Sequence, residues 1–313
     1  MPKTIVIALG GNALGKNLYE QRIAVANAAK PMAELIAQGH SVAICHGNGP
    51  QVGMIDLAFE AASRTESGIH PMPLSTDGAM SQGYIGLGIQ KALYRELKAR
   101  GIAKHAATIV TQVVVDPADP AFAAPSKPIG PFYSEEEARS IMAASPEITL
   151  TEDSGRGWRR IVASPEPQDI VEKEVIASML ACGHVVIACG GGGIPVIHND
   201  QGGLDPWEAV IDKDFASEKL AEYLDADMLM VLTAVDQVAI GFGTPDERWL
   251  SSVTTAEAEG YIAEGQFAPG SMLPKVQAAL RFVRSRAGRE ALICSLDRAP
   301  EALLGKTGTL FVH

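Results

Sequence analysis

The stretch TIVIALGG (residues 4–11) is a short apolar run that ends at two glycines. A run of this kind, closed by glycine, is typical of a buried strand that leads into a turn. An alanine-rich segment at about 20–38 follows, and it ends at Gly39, as helices often do. The order of strand, glycine turn and helix indicates the repeating unit of an α/β fold.

The same order recurs along the chain. Further strands are predicted at 41–50, 107–115, 184–193, 227–236, 290–296 and 307–312. Further helices are predicted at 78–100, 168–182, 214–224 and 274–286. Alternation of this kind predicts a mostly parallel sheet with helices on both faces. Ligands in such sheets bind beyond the carboxyl ends of the strands, which is where the glycines of this chain cluster.

One segment, 116–167, breaks the alternation because it is rich in proline. Its eight prolines are Pro117, Pro120, Pro125, Pro128, Pro131, Pro146, Pro165 and Pro167. A short helix fits near 134–144, and the sequence ITLTEDSGRGWRRIVA (148–163) is typical of a β-hairpin. A long irregular segment in a compact domain is usually functional or disordered. We predict a protruding lid.

Composition excludes some classes of partner. The 313 residues carry a net charge of −11, which argues against non-specific binding to nucleic acid or to an anionic membrane. A site for a phosphate ligand stays possible, because it needs only a few lysines and backbone amides. The longest apolar stretches are shorter than the ~18 residues of a membrane span, and the N-terminus is unlike a signal peptide.

The four cysteines indicate a reducing compartment. Cys45, Cys182, Cys189 and Cys294 show no CxxC pair and no metal-ligand spacing. We interpret them as reduced thiols, mostly buried in apolar runs. Reduced thiols are typical of the cytosol, so a cytoplasmic location is expected.

Three predicted strands end in glycine-rich turns. These turns are Gly10-Gly11-Asn12, Gly47-Asn48-Gly49 and Gly190 to Gly193. Glycine lets backbone N–H groups approach a ligand closely, and a following helix N-terminus favours an anion. One such turn alone is better explained as a plain strand-to-helix connection. Three in one chain favour a cleft that handles phosphate.

The first turn also has the G-x-x-x-x-G-K spacing of a P-loop, from Gly10 to Lys16. A P-loop continues with Ser or Thr, whose hydroxyl binds magnesium. Asn17 stands at that position, so the P-loop interpretation is the weaker one.

Three lysines are candidates for phosphate contacts. Lys127 lies in the predicted lid, and Lys213 and Lys275 lie at predicted helix starts. A solvated surface lysine is the ordinary alternative for each. Asp214 follows Lys213, and it is either a helix N-cap or a partner of the lysines. His46 stands beside a glycine turn, and we interpret it as a packing residue or a substrate contact rather than a base.

Taken together, these residues carry a resemblance. The segments ALGGNAL, HGNGPQVG, KPIGPFY, VIACGGGGIPV, VIDKD and GSMLPK, spread over essentially the whole chain, resemble carbamate kinase of the amino-acid-kinase superfamily. The segments KPIGPFY and AVIDKD are specific to that family. The resemblance implies a three-layer α/β/α sandwich over 1–313. It also implies an acceptor lobe at 1–199, which includes the lid at 116–167, and a nucleotide lobe at 200–313.

The resemblance also implies roles for individual residues. Lys127, Lys213, Asp214 and Lys275 are the expected catalytic residues, with Asp214 holding the two neighbouring lysines. The expected phosphate-binding and carbamate-binding residues are Gly10, Gly11, Asn12, Gly47 and Asn48. The expected nucleotide-binding residues are Thr233, Asp236, Val238, Phe242 and Met272. No protein metal site is expected, because Mg²⁺ enters with ATP or ADP.

The implied reaction is reversible phosphoryl transfer between ATP and carbamate, which in family members often makes ATP during breakdown of arginine or purine derivatives. The implied assembly is a homodimer. Two alternatives stay open: a related kinase with another small acid as acceptor, and a non-catalytic protein that binds nucleotide or carbamoyl phosphate. The sequence departs from the family pattern at Ala239, Gly241 and Leu273, all near the expected nucleotide site.

Overall fold

The computed structural model describes residues 2–10, 14–15, 17–66, 68–146, 148–153 and 155–313. The strands are β1 Thr4–Leu9, β2 Ser41–His46, β3 Ala106–Thr108, β4 Gln112–Val114, β5 Lys127–Tyr133, β6 Thr149–Glu152, β7 Trp158–Val162, β8 Asp169–Ile170, β9 Val185–Ile187, β10 Ile194–His198, β11 Leu204–Pro206, β12 Met228–Thr233, β13 Val238–Ile240, β14 Arg248–Leu250, β15 Ser252–Thr254, β16 Glu290–Ser295 and β17 Thr309–Val312. The helices are α1 Leu18–Ala37, α2 Gly49–Ser63, α3 Leu74–Ala99, α4 Glu135–Ala144, α5 Lys173–Ala181, α6 Lys213–Tyr223, α7 Thr255–Ala263, α8 Met272–Ser285 and α9 Ala299–Leu303.

The central sheet has eight strands in the order β15-β17-β16-β12-β1-β2-β9-β3. Six of them, from β16 to β3, run parallel to one another. Strand β17 is antiparallel to β16, and β15 is parallel to β17. The predicted mostly parallel sheet is therefore confirmed, with a reversed pair at one edge.

Alternate side chains of each central strand enter two different hydrophobic cores. In β1, Ile5, Ile7 and Leu9 pack with α1, α3 and α9 on one face of the sheet. Val6 and Ala8 pack with α5, α6, α7 and α8 on the other face. All five side chains are fully buried. Apolar residues at every position are what a strand covered on both sides requires, and the three-layer α/β/α sandwich is confirmed.

The lid is a separate small sheet packed against α2. Its strands β5, β7 and β6 are antiparallel, and α4 packs on them. The helix α4 begins with a capping box in which Ser134 and Glu137 exchange hydrogen bonds. A small core of Val52, Leu74, Ile129 and Val162 joins this sheet to α2 and α3. The predicted helix near 134–144 and the predicted hairpin at 148–163 are both present.

Several predicted elements differ from the structure, and the strand predicted at 184–193 is a strand only at Val185–Ile187. The stretch 107–115 is not one strand: β3 belongs to the central sheet, whereas β4 pairs with β10 and β8 in a second sheet. Between them, Thr111 is held by the side chain of Gln82, which turns the chain away from the central sheet. The helix predicted at 168–182 begins only at Lys173, because Asp169–Ile170 pairs with β4.

Helix α2 was not predicted at all. It begins at Gly49, the last residue of the second glycine turn, with Pro50 in its first turn, a position that suits proline. Among the described helices, none combines the length and the apolar character that a membrane span needs.

Candidate active site

A cavity of about 870 Å³ lies between the lid and the carboxyl ends of the central strands. Its wall is made by the lid strand β5, by α2, and by the first turns of α6 and α8. The structure brings six of the sequence-predicted site residues to this wall. They are Gly47, Asn48, Lys127, Lys213, Asp214 and Lys275.

Asp214 joins two of the predicted lysines. Lys213 Nζ donates a hydrogen bond to Asp214 Oδ1, and Lys275 Nζ donates to Oδ2 over 3.1 Å. The three side chains are nearly buried, with 11%, 4% and 15% of Lys213, Asp214 and Lys275 exposed. Two cations share one carboxylate, so this group carries a net positive charge at the cavity wall. A positive, poorly hydrated wall of this kind can bind a phosphoryl group.

Burial and charge act in opposite directions on the pKa values of this group. Burial raises the pKa of Asp214, but the charges of Lys213 and Lys275 and their hydrogen bonds outweigh it and lower that pKa to about 2. Burial lowers the pKa of Lys213, and the nearby charge of Lys275 adds to that effect, whereas Asp214 opposes it. Asp214 is therefore ionised at neutral pH and supports the charged form of Lys213.

The lid lysine reaches the same wall from strand β5. Lys127 Nζ forms an ion pair with Asp212 Oδ2. Asp212 is also the N-cap of α6, since its other oxygen accepts the backbone N–H of Asp214 over 2.8 Å. Of the two roles considered for Asp214 from the sequence, the N-cap belongs to Asp212 instead, and Asp214 holds the lysines.

Three helices point their N-termini at the cavity. Gly49 begins α2, Lys213 begins α6, and Ser271 is the N-cap of α8, and all three line the wall. The N-terminus of a helix carries free N–H groups and a partial positive charge. Together with the lysines, these termini make the cavity suited to an anion with several oxygens.

The glycine turns lie side by side at the ends of neighbouring strands. Gly10 N–H donates to Leu232 O over 3.2 Å, and Gly47 N–H donates to Leu9 O over 3.0 Å. Gly191 of the third turn also lines the cavity, and it touches Asn48 so closely that a Cβ there would lie 2.2 Å from Asn48 Nδ2. The predicted phosphate-binding residues Gly11 and Asn12 lie outside the described residues.

Two arginines of the cavity wall were missed by the sequence analysis. Arg156 and Arg159 of the lid hairpin line the wall and stack on Phe132, with guanidinium carbons 5.0 and 5.1 Å from the ring centroid. Arg159 also pairs with Asp153. The run SGRGWRR could have indicated them, because its arginines stand in a segment already predicted to cover the site.

His46 is a packing residue in this structure. It is fully buried and does not line the cavity, and its Nδ1–H donates to Gly47 O over 2.9 Å. Burial lowers the pKa of His46 to about 4, partly offset by that hydrogen bond. The ring is neutral at physiological pH, and its absence from the cavity wall favours the packing role over a substrate contact or a base.

The five predicted nucleotide-binding residues do not line the cavity. Thr233 ends β12, and Met272 begins α8 next to Ser271, which does line it. Asp236 accepts hydrogen bonds from Ser295 and Arg298 over 2.5 and 3.0 Å. The Val238 side chain is fully buried, so only its backbone could meet a ligand, and Phe242 is 67% exposed against the edge of Trp249. Their role in nucleotide binding stays a prediction.

The positions that depart from the family pattern have local structural reasons. Gly241 has φ +61°, and a Cβ there would lie 2.9 Å from Asp246 O, so the turn between β13 and β14 favours glycine. Ala239 is buried opposite Trp249 in the same hairpin, and Leu273 packs against the core under α8.

Asn17 is the N-cap of α1, and residues 11–13 and 16 of the P-loop-like stretch lie outside the described residues. Asn17 Oδ1 accepts the backbone N–H of Glu20 over 3.0 Å. In the part of the chain that the structure describes, no group of three or more His, Cys, Asp or Glu side chains is placed to hold a metal ion.

Comparison with known proteins places this chain in a family. A model of the amino acid kinase family matches residues 3–295. The chain is 56% identical over 310 residues to the carbamate kinase-like protein YqeA of Escherichia coli, covering 99% of both chains. It is 51% identical over 313 residues to the carbamate kinase of Clostridium perfringens, covering 98% of this chain and 99% of the relative. Carbamate kinase from Giardia lamblia bound to AMP-PNP superposes with a TM-score of 0.90 at 42% identity, covering 99% of this chain and 98% of that structure.

Proposed function

Because this chain belongs to the amino acid kinase family and within it to the carbamate kinases, we propose that it transfers a phosphoryl group between ATP and carbamate. The observation that carries the proposal is the Lys213–Asp214–Lys275 group, which lines one cavity together with the lid residue Lys127. The reaction is carbamoyl phosphate plus ADP in equilibrium with ATP plus carbamate, which decays to ammonia and CO₂.

The chemistry needs positioning and positive charge rather than a nucleophilic side chain. A β-phosphate oxygen of ADP attacks the phosphorus of carbamoyl phosphate, the bond from phosphorus to the carbamate oxygen breaks, and carbamate leaves with that electron pair. Negative charge spreads over the three phosphoryl oxygens in the transition state. Lys213 and Lys275 neutralise this charge, and Asp214 keeps their ammonium groups together.

The two halves of the chain contribute different parts of the proposed site. Gly47, Asn48 and Lys127, from the proposed acceptor lobe at 1–199, flank the carbamate, with Gly10, Gly11 and Asn12 on the phosphoryl group. Lys213 and Lys275, from the proposed nucleotide lobe at 200–313, contact the phosphate on the nucleotide side. The cavity lies where both halves meet, which supports this division.

The nucleotide is proposed to lie beyond the lysines, toward Thr233, Asp236, Val238, Phe242 and Met272. Met272 adjoins Ser271 at the cavity wall, which supports a continuous path from the lysines to this surface. Mg²⁺ is proposed to enter bound to the nucleotide phosphates. Two carboxylates of the wall, Asp212 and Asp214, already bind lysines, which supports a metal held by substrate oxygens.

A second acceptor is favoured by one observation. Arg156 and Arg159 line the cavity beside Lys127, and guanidinium groups are suited to binding carboxylates. A related kinase with a larger acid as acceptor would use these arginines. A non-catalytic binding protein is the remaining alternative, and the three lysines retained around Asp214 and Asp212 argue against it.

The oligomeric state, the cellular location and the metabolic setting are three further proposals. A homodimer is supported by exposed apolar side chains on the adjacent helices α1 and α3, among them Tyr19, Ile23, Leu87 and Tyr94. Sedimentation of the purified chain would distinguish a dimer from a monomer. The cytosol is the proposed location, supported by four free cysteines. The proposed metabolic setting is the breakdown of arginine or of purine derivatives.

The deciding measurement is ATP formation from carbamoyl phosphate and MgADP, followed by luciferase luminescence. We expect ATP at a rate far above the spontaneous breakdown of carbamoyl phosphate. We also expect that rate to be lost when EDTA removes Mg²⁺ during the reaction, with excess Mg²⁺ restored to the quenched sample before luciferase is added. Folded protein that makes no ATP would contradict the proposal. In that case a panel of small carboxylic acids with ATP would test the second acceptor class.

A further inference from the structure

We infer that the adjacent residues Ser81 and Gln82 of α3 are positioning residues, which hold two glycine turns together at the acceptor end of the cavity. The inference rests on the proposed function, because it assigns them to that phosphoryl-transfer site. Neither residue lines the cavity, and their exposure is 0% and 1%. Each acts through the residues to which it is hydrogen bonded.

Gln82 holds the third glycine turn. Its side-chain amide nitrogen donates to Gly190 O and to Thr111 O, both over 3.1 Å. Its side-chain oxygen accepts the backbone N–H of Thr111 over 2.8 Å. One buried amide therefore ties the turn after β9 to the segment before β4. Buried networks in which both partners are satisfied are rigid, and a lost bond leaves a polar group without a partner.

Ser81 holds the second glycine turn. Its hydroxyl oxygen accepts a hydrogen bond from Asn48 Nδ2 over 2.8 Å and donates to Gly78 O over 2.7 Å. Asn48 lines the cavity, and it touches Gly191 of the third turn. Two consecutive residues of one helix thus set the positions of both turns and of the contact between them.

The placement of these hydrogen bonds predicts that their loss impairs acceptor kinetics and leaves ADP affinity unchanged. The lysine group stands on α6 and α8, and it makes no hydrogen bond to Ser81 or Gln82. A shift of the glycine turns by about 1 Å would misplace the acceptor, and such shifts cost on the order of 10²-fold in rate. The nucleotide side would keep its contacts, so acceptor kinetics and ADP affinity should separate.

The first test compares Gln82→Met with Gln90→Met. Gln90 lies on the same helix, and its side-chain oxygen accepts the N–H and hydroxyl of Thr108 over 3.2 and 2.5 Å. Both variants lose hydrogen bonds to the β3–β4 region, but only Gln82 reaches a glycine turn. We expect kcat/KM for carbamoyl phosphate to fall about tenfold or more in Gln82→Met alone, with KM for MgADP within about twofold of wild type. Equal losses in the two variants would overturn the inference.

The second test uses serine-to-alanine substitutions, which remove one hydroxyl group and add no atoms to a buried site. Ser81→Ala removes the hydroxyl that accepts the hydrogen bond of Asn48. Ser63→Ala is the control. The Ser63 hydroxyl donates to Glu60 O over 2.8 Å, just as Ser81 donates to the carbonyl three residues earlier, at Gly78. We expect Ser81→Ala to raise KM for carbamoyl phosphate and Ser63→Ala to leave it unchanged. An unchanged KM in Ser81→Ala would count against the role of Ser81.

A third readout does not depend on turnover. The N–H groups of Gly192 and Gly193 bond within the third turn, to Cys189 O and Gly190 O. If Gln82 holds this turn, hydrogen exchange of residues 189–193 should be about tenfold faster in Gln82→Met than in Gln90→Met. Equal exchange in the two variants would contradict the inference. If exchange is faster in Gln82→Met but the wild-type protein makes no ATP, only the proposed function is contradicted.

Discussion

Gly53 of α2 and Gly130 of β5 meet backbone to backbone: a Cβ on Gly53 would lie 2.2 Å from Gly130 Cα. Gly130 has φ +73°, a left-handed conformation that favours glycine. Both residues line the cavity. The lid can therefore lie close on α2 only because Gly53 has no side chain, whereas Gly130 has room for a Cβ and favours glycine for its backbone conformation alone.

The substitution Gly53→Ala is expected to push the lid away from α2. Overpacking of this kind costs about 1–3 kcal/mol, and we expect a lower melting temperature and a higher KM for carbamoyl phosphate. Gly83→Ala is the matched control, because a Cβ at this helical glycine meets no atom within 4 Å. The control should be neutral or slightly stabilising. Equal melting temperatures and KM values for Gly53→Ala and wild type would show that the lid does not depend on this contact.

Removal of the Lys213 ammonium should slow catalysis strongly. We expect Lys213→Ala to lower kcat about 10²-fold, which corresponds to about 3 kcal/mol of lost transition-state stabilisation. The control is Lys219→Ala on the same helix, whose ion pair with Glu222 is more exposed and lies outside the cavity. A variant with wild-type kcat in the ATP-formation assay would remove Lys213 from the mechanism.

The lid lysine should affect turnover more than nucleotide binding. Lys127→Ala breaks the ion pair with Asp212 and removes one charge from the acceptor side of the cavity. We expect kcat to fall by about 10–10²-fold, with the Kd of ADP from calorimetry nearly unchanged. Lys173→Ala is the control, because Lys173 also pairs with an aspartate but lies away from the cavity. A large loss of ADP affinity in Lys127→Ala would contradict the placement of the lid.

The isosteric change Asp214→Asn should alter two pH dependences. The Asp214 charge opposes the effect of burial on the pKa of Lys213, so its removal should move the alkaline limb of the kcat/KM profile to lower pH. The folded-state pKa of Asp214, about 2, lies below its unfolded value. Its stabilising contribution is therefore present above about pH 4 and is lost as pH falls toward 2.

Stability measurements on Asp214→Asn check the second effect. At pH 7 the variant should lose about 3–5 kcal/mol of unfolding free energy, since it leaves two buried cations without their carboxylate. Between pH 4 and 2 the difference from wild type should shrink. A constant difference over that range would show that Asp214 is not the group that titrates.

Asp77 should destabilise the protein at alkaline pH. Its side chain is fully buried, and neither carboxylate oxygen has a hydrogen-bond partner within the described residues. Burial, together with the charges of Asp56 and Glu208, raises the pKa of Asp77 to about 7, while Arg160 lowers it. The folded state thus binds the proton more tightly than the unfolded state, and stability contributed by the neutral acid is lost as pH rises from about 4 through 7.

The substitution Asp77→Asn removes this titration. We expect the variant to be more stable than wild type by about 1–3 kcal/mol at pH 8 and similar to it at pH 4, measured by urea unfolding at each pH. Asp246→Asn, at an exposed loop position, should show no such pH-dependent gain. If the unfolding free energy of Asp77→Asn varies with pH as that of wild type does, Asp77 is not the source of the alkaline destabilisation.

Much of the site could be predicted from the sequence because its residues follow strands or begin helices. The glycines at 47 and 191 lie at the ends of predicted strands, so the alternation placed them at the ligand-binding edge of the sheet. Lys213 and Lys275 stand at predicted helix starts, and their place in the site followed from the family resemblance. Helix α2 was missed because glycine and proline at its start indicate a turn as strongly as a helix beginning.

The layers of the fold and the kinds of side chain in the cavity follow from local sequence patterns. Apolar residues at every position of IVIAL (5–9) require cover on both faces of a strand, and that requirement is local. The tertiary structure alone decided that Lys275 reaches Asp214 across 61 residues, that Asp212 caps α6 and binds the lid, and that Gly53 admits Gly130. These contacts depend on how elements pack after the sheet forms, and local conformational preference carries no information about side chains that meet from distant parts of the chain.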